Sequence, residues 1–390
     1  DKYIVEIVLR EPYSPLLSGL GVGIIPKHIY SGRDLRDPEI NKLPIGTGPF
    51  KVLKYSSSEA LLAANRDHFD GQPYLEKVSF RIFQDQKALF AKMMDETIDV
   101  IYYTNPENID ILKQVPYFKQ YKFLRPFYYI LAFQNKGIFK DRRVRIALNY
   151  AVNKKKLVEN VLKNDGKIAF GTIYPESWAF NKEINPYPYN PRKALKLLNE
   201  AGWKDTNGNN ILDKEGLELD FTVLFKEGFA VDEKSLKHIK VDINQIGVSL
   251  KAKKFSAKEF NTFIMKKEFD AIIIDLAGRG DPDNSYKFWH SSQIIEGKNF
   301  FSYKNEKIDK LLEEGRKTSH IDLRKQLYDQ FQERIFSDPP GIFLFWASSL
   351  LMIHKRFKGV KIHPSWVLDL KDWYVPKKEQ RGLVTVDSTE

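Results

Sequence analysis

Between residues 217 and 276 the chain alternates between two hydrophobic periodicities, and this alternation restricts the fold more than any other feature. Residues 217–225 read as a strand, about 232–245 as a helix and 248–255 as a strand. A second helix follows, and 269–276 closes the series as a strand. Ser256 and Glu259 are spaced as a capping box at the start of that second helix. Such alternation predicts a mostly parallel sheet with helices on its faces, the α/β class. In these sheets ligands gather at the carboxyl ends of the strands. A ligand is therefore expected near residues 275–284.

The flanking sequence is legible in pieces. Residues 3–9 read as an opening strand that Glu11 and Pro12 stop. From Lys77 a βαβ unit is expected: Val78, Phe80 and Ile82 alternate, Leu89, Phe90, Met93 and Met94 share a helical face, and 99–102 follow as a second strand. Asp141 and Asn153 are expected to cap two helices. Asn190 caps another, with Pro191 at its first position and Gly202 just past its end. Its apolar face is Ala194, Leu197, Leu198 and Ala201.

Composition excludes several classes. The 390 residues allow two or three domains. With no cysteine, thiol catalysis, zinc–cysteine sites and disulfides within the chain are excluded. Aromatic residues make up 13% of the chain, a load that argues against disorder and suits ring-lined clefts. No stretch reaches the roughly 20 uncharged apolar residues of a membrane span. No signal peptide begins at Asp1, so a secreted form is expected to be processed already. The formal net charge is +11, but the cations are interleaved with Asp and Glu. Even Lys154-Lys155-Lys156 reads as solvated surface, and no nucleic-acid partner is expected.

The motifs of metalloproteases, P-loop enzymes and serine hydrolases are absent, and no histidine pair has metal-ligand spacing. No cofactor or metal is expected. His290 lies close to the expected ligand edge. Asp281-Pro282-Asp283-Asn284 follows Gly280 after a buried strand and reads as a turn capping a helix at 285–290. As caps alone, Asp281 and Asp283 would each be worth about 1 kcal/mol. The same carboxylates stand at a cleft edge, where they could hold a ligand ammonium, and Arg279 could pair with a ligand carboxylate. A hydrolase using Asp281 and Asp283 is a further reading, although an i, i+2 pair in a turn rarely converges on one bond. Residues 205–213 place oxygens like a calcium loop, but Asn210 replaces its glycine and Gly216 its final glutamate. A tight surface turn is expected there.

Several stretches together resemble the extracellular solute-binding proteins of family 5, the oligopeptide, dipeptide and nickel-binding type. They include Gly46-Thr47-Gly48-Pro49-Phe50, Asn65-Arg66-Asp67-His68-Phe69, Asp141-Arg142-Arg143-Val144-Arg145-Ile146-Ala147-Leu148, Ala201-Gly202-Trp203 and Gly280-Asp281-Pro282-Asp283-Asn284. Their order and spacing carry the likeness. The resemblance implies a two-lobe periplasmic-binding-protein-like fold of the three-domain type. It implies a monomeric, non-catalytic receptor in the periplasm or at the outer face of the cell membrane, delivering solute to an ABC importer permease. It also implies that the family's opening segment lies ahead of the strand at Tyr3, so that 1–40 complete a small domain II. On this reading 41–124 and 346–380 form domain I, 125–345 an inserted α/β domain III, and 381–390 a polar tail. Strands near 127–131 and 343–347 should cross between lobes.

A peptide is the expected solute, with an oligosaccharide or metal chelate as alternatives; Trp178, Trp289 and Trp346 offer rings for a sugar. The expected ligand-binding residues are Tyr128, Tyr129, Trp178, Arg279, Asp281, Asp283 and Trp346. In relatives an Asp shortly before the Gly-Asp-Pro-Asp-Asn run holds the peptide amine; that position falls on Gly278 here.

Overall fold

A computed structural model describes residues 4–21, 23–37, 42–83, 85–103, 109–278, 280–362 and 369–381. Two compact units emerge. The smaller comprises Gly21–Phe123 and the chain from Ser349 onward; the larger comprises the residues up to Leu20 and Leu124–Ser348. Among the described residues no helix is long and apolar enough to cross a membrane.

In the smaller unit, β1 (Phe50–Tyr55), β2 (Glu59–Ala64) and β3 (Lys77–Arg81) form an antiparallel sheet in that order. Helix α1 (Gln86–Met94) follows, then β4 (Val100–Tyr103). The βαβ unit expected from Lys77 does not form. β3 pairs antiparallel with β2, whereas β4 pairs antiparallel with residues 350–353 of the last strand. Alternation signals a strand with one covered face, not the partner that it takes. Residues 4–9 teach the same point: they form no strand among the described residues.

After its opening residues, the larger unit resumes within β5 (Phe118–Phe133), whose first residues belong to the smaller one. Helix α2 (Arg142–Ala151), β6 (Gly166–Ile168), α3 (Pro191–Glu200) and the small hairpin of β7 (Asp213–Lys214) and β8 (Leu217–Glu218) come next. The alternating segment then delivers β9 (Asp220–Lys226), α4 (Ala230–Asn244), β10 (Ser249–Phe255), α5 (Ala257–Lys266) and β11 (Ala271–Ala277). Helices α6 (Asn284–Trp289), α7 (Glu306–Lys317) and α8 (Ile321–Ser337) lead to β12 (Gly341–His354).

The sheet order is β10-β9-β11-β5-β12-β4, with β6 also against β12. β9, β10 and β11 are mutually parallel as the alternation requires, while β5 lies antiparallel to β11 and makes the sheet mixed. Period-two burial builds a core on each face. Tyr129, Leu131 and Phe133 of β5 join Ile273 of β11 against α2, α3 and α4. Tyr128, Ile130 and Ala132 join Ile272 and Leu276 against α5 to α8.

Local signals placed the helices. Asp141 accepts the Arg143 N–H, Asn153 the Lys156 N–H and Asn190 the Lys193 N–H at three helix starts. Ser256 and Glu259 complete both halves of their capping box. Gly202 adopts φ +93° just beyond α3, a conformation that favours glycine. The basic triplet departs from the solvated-surface expectation at one position: Lys154 is buried, its Nζ donating to Asn149 Oδ1 and lying 5.6 Å from the Tyr187 ring centre. Burial lowers its pKa to about 7.

Candidate ligand-binding site

The chain leaves β11 at Gly278 and turns into α6, and the turn is fixed by two arginines from distant helices. Arg324 of α8 grips Asp281 with two N–H groups, at 2.7 and 2.5 Å. Arg316 of α7 grips Asp283 likewise, at 2.9 and 2.9 Å. Tyr13 adds its hydroxyl to Asp283 at 3.4 Å. Asp281 also accepts the Asp283 N–H at 2.9 Å, so the expected turn is present, but Asp283 makes no side-chain cap to α6. Each forked ion pair fixes geometry as well as charge. The Arg316 guanidinium lies 3.6 Å from the Tyr286 ring centre, and Arg324 lies 5.5 Å from that of Trp178. In sequence the two arginines look like ordinary helix cations, and no local spacing links them to the turn.

The predicted rings separate by face. Tyr128 and Trp346 meet at 5.5 Å between ring centres in one core, where Tyr128 accepts the Trp289 indole N–H at 3.2 Å. Both rings are fully buried, as is Trp289. Burial drives the Tyr128 hydroxyl pKa far up. Tyr129 points to the opposite core and packs on Phe345 at 4.9 Å. Trp178 remains 40% exposed. Arg279 lies outside the described residues. Gly278 is sealed between these groups: a Cβ there would stand 2.4 Å from the Thr172 carbonyl oxygen, 2.4 Å from the Trp346 ring and 3.0 Å from the Tyr128 ring. A side chain at this point requires the aromatic packing to move.

One turn of sequence earlier, Asp275 of β11 meets Arg125 of β5 at 3.5 Å, and Arg125 donates to the Tyr129 hydroxyl at 2.8 Å. Burial raises the Tyr129 pKa to about 12. Asp232, in the first turn of α4, is buried, and its field includes the partly exposed Asp275. Burial, and secondarily Asp275, push its pKa up to about 7 against the pull of Lys226 and Arg125. Sequence reasoning passed over Asp232 because an Asp at a helix start is ordinarily an exposed charge on the dipole.

His290 is buried, stacked on Tyr286 and bonded to Ser292 at 2.8 Å and Glu313 at 3.2 Å. The 205–213 loop spends its oxygens on itself: Asp205 accepts the Gly208 and Asn210 N–H groups, Asn209 that of Ile211, and Asp213 both Thr206 donors. Asn210 takes the left-handed conformation, φ +67°. Among the described residues no group of three or more His, Asp or Glu side chains converges to hold a metal.

Residues 1–296 match the model of the bacterial extracellular solute-binding proteins, family 5. The chain belongs to this family. The oligopeptide-binding protein AppA of Bacillus subtilis is 32% identical over 369 residues, 91% of this chain and 67% of that protein. The chain thus spans about two thirds of the length of this curated relative. AppA solved in complex with a nonapeptide superposes with a TM-score of 0.80 at 29% identity, covering 95% of this chain and 75% of that one. NikZ of Campylobacter jejuni in complex with Ni(L-His) superposes with a TM-score of 0.82 at 28% identity, covering 94% and 76%. The two-lobe family 5 fold and a solute-binding role follow from this membership.

Proposed function

We infer that this family 5 chain captures a short peptide outside the cytoplasm, in the periplasm or at the outer face of the cell membrane. It delivers the peptide unaltered to the permease of an ABC importer. The likeness to AppA in both sequence and structure carries this reading, because AppA is an oligopeptide-binding protein and its solved complex holds a nonapeptide. A binding rather than catalytic role is supported at the turn itself. A carboxylate-pair hydrolase needs at least one carboxylate available to its substrate, whereas Asp281 and Asp283 are each held in a forked arginine pair.

The ligand-facing residues proposed in the larger unit remain those around the turn. Trp178 offers an exposed ring beside Arg324, and Arg279 adjoins Gly278 in sequence. Tyr128 and Trp346 support the site from beneath, Tyr129 holds Arg125, and Asp281 and Asp283 present their arginines rather than free charge.

A metal chelate is the second reading, favoured by the fold shared with the Ni(L-His) complex of NikZ. Native mass spectrometry after incubation with a pool of synthetic peptides, and separately with nickel and histidine, distinguishes the two. Retained, uncleaved peptides support the first; retention of the chelate alone supports the second. Cleaved peptides would refute a purely binding role.

A further inference from the structure

Asp232 is an oddity that the fold does not explain. It is 3% exposed, its Oδ1 is buried, and that oxygen has no hydrogen-bond partner. Ser235, one turn along α4, is fully buried, and its Oγ is unpartnered as well. Buried polar groups are normally satisfied, and a carboxylate left without a donor in a dry place is costly.

Lys226 and Arg125 lie near enough for their charge to pull on Asp232, but neither donates a hydrogen bond to its Oδ1. Arg125 is directed at Asp275 and the Tyr129 hydroxyl. The Lys226 ammonium lies 4.1 Å from the Phe229 ring centre. Among the described residues the cluster therefore holds two carboxylates, Asp275 with an ion pair to Arg125 and Asp232 without one. It also sits where a ligand is expected on general grounds: Lys226 ends β9, Asp275 lies near the end of β11, and Asp232 opens the helix that follows β9. Asp275 and Arg125 keep 28% and 18% of their side chains exposed, so the cluster has an open side.

We propose that Asp232 and Asp275 form a subsite for a cationic side chain of the bound peptide, a lysine ammonium or an arginine guanidinium, that supplies the donor Asp232 lacks. This subsite lies apart from Gly278, where Trp346 and the Thr172 carbonyl leave no room for a carboxylate. A guanidinium suits it because its several N–H donors can serve two carboxylates at once. The inference rests on the peptide reading above.

The test uses the full chain and a pool of synthetic peptides of mixed length. Every basic member has a neutral twin, with citrulline for arginine and norleucine for lysine, and retained peptides are counted by mass spectrometry. The expected result is at least about tenfold preference for basic members over their twins, in keeping with a charged hydrogen bond. Asp232→Asn should abolish that preference while neutral members are retained as before, and Asp275→Asn should weaken it. Equal retention of both twins by the parent chain, or a preference that survives Asp232→Asn, overturns the subsite and leaves peptide binding intact. Retention of no peptide at all overturns the peptide reading and the subsite with it. Thermal unfolding of both variants confirms that each is folded, and Asp275→Asn alone decides the matter if Asp232→Asn is not.

Discussion

Single residues here are governed by burial more than by type. Asp232 favours its neutral form in the fold, with a pKa near 7, whereas an unfolded Asp ionises near 4. The native state therefore binds more protons than the unfolded state between about pH 4 and 7, and its stability should fall as pH rises through that window. Asp275 adds to the upward push, and Lys226 and Arg125 oppose it. Asp232→Asn should flatten this dependence and stabilise the ligand-free chain at pH 8, by at most roughly 4 kcal/mol. Urea midpoints at pH 5 and pH 8 measure the difference; an unchanged slope would mean that Asp232 is solvated. Gly278 illustrates space rather than charge. Gly278→Ala drives a methyl group into the Thr172 carbonyl and the Trp346 ring, and should cost about 1–3 kcal/mol or more. Near-ultraviolet circular dichroism should report the displaced tryptophan.

At the scale of elements, the turn between β11 and α6 departs most from its sequence reading. Asp281 and Asp283 as caps would each contribute about 1 kcal/mol. The structure gives Asp281 a larger role, because it neutralises Arg324, a buried guanidinium that also donates to the Gly315 carbonyl at 2.7 Å. Asp281→Asn leaves that charge without its counterion and should destabilise the chain by about 3 kcal/mol, beyond any capping loss. A denaturation midpoint no lower than that of a simple cap variant such as Ser256→Ala would show the pair to be dispensable. The helices that follow strands needed no such partners to be foreseen. The caps of α3 and α5 act over three residues, within reach of sequence spacing.

For the whole molecule, a receptor that binds only when folded is stabilised by its ligand. A peptide at a hundred times its dissociation constant should add about 2.7 kcal/mol and raise the thermal midpoint. A scan with the peptide pool and with nickel plus histidine assigns the solute class, and no shift with any peptide would count against the peptide reading. The proposed polar tail at 381–390 falls, past Arg381, outside the described residues.

The amino-acid sequence alone determined the parallel core of β9, β10 and β11 and the placement of α3, α4 and α5. Period, caps and glycine stops are local quantities, written within a few residues of where they act. Family membership was also legible, because its stretches recur in order along the chain. Tertiary structure decided the rest. It chose which strands paired, sending β3 and β4 to different sheets, since a covered face does not name its partner. It paired Asp281 and Asp283 with arginines 43 and 33 residues away. It buried Asp232 without a donor and closed the space at Gly278. Burial and long-range pairing depend on what the rest of the chain brings alongside, and no local pattern encodes that.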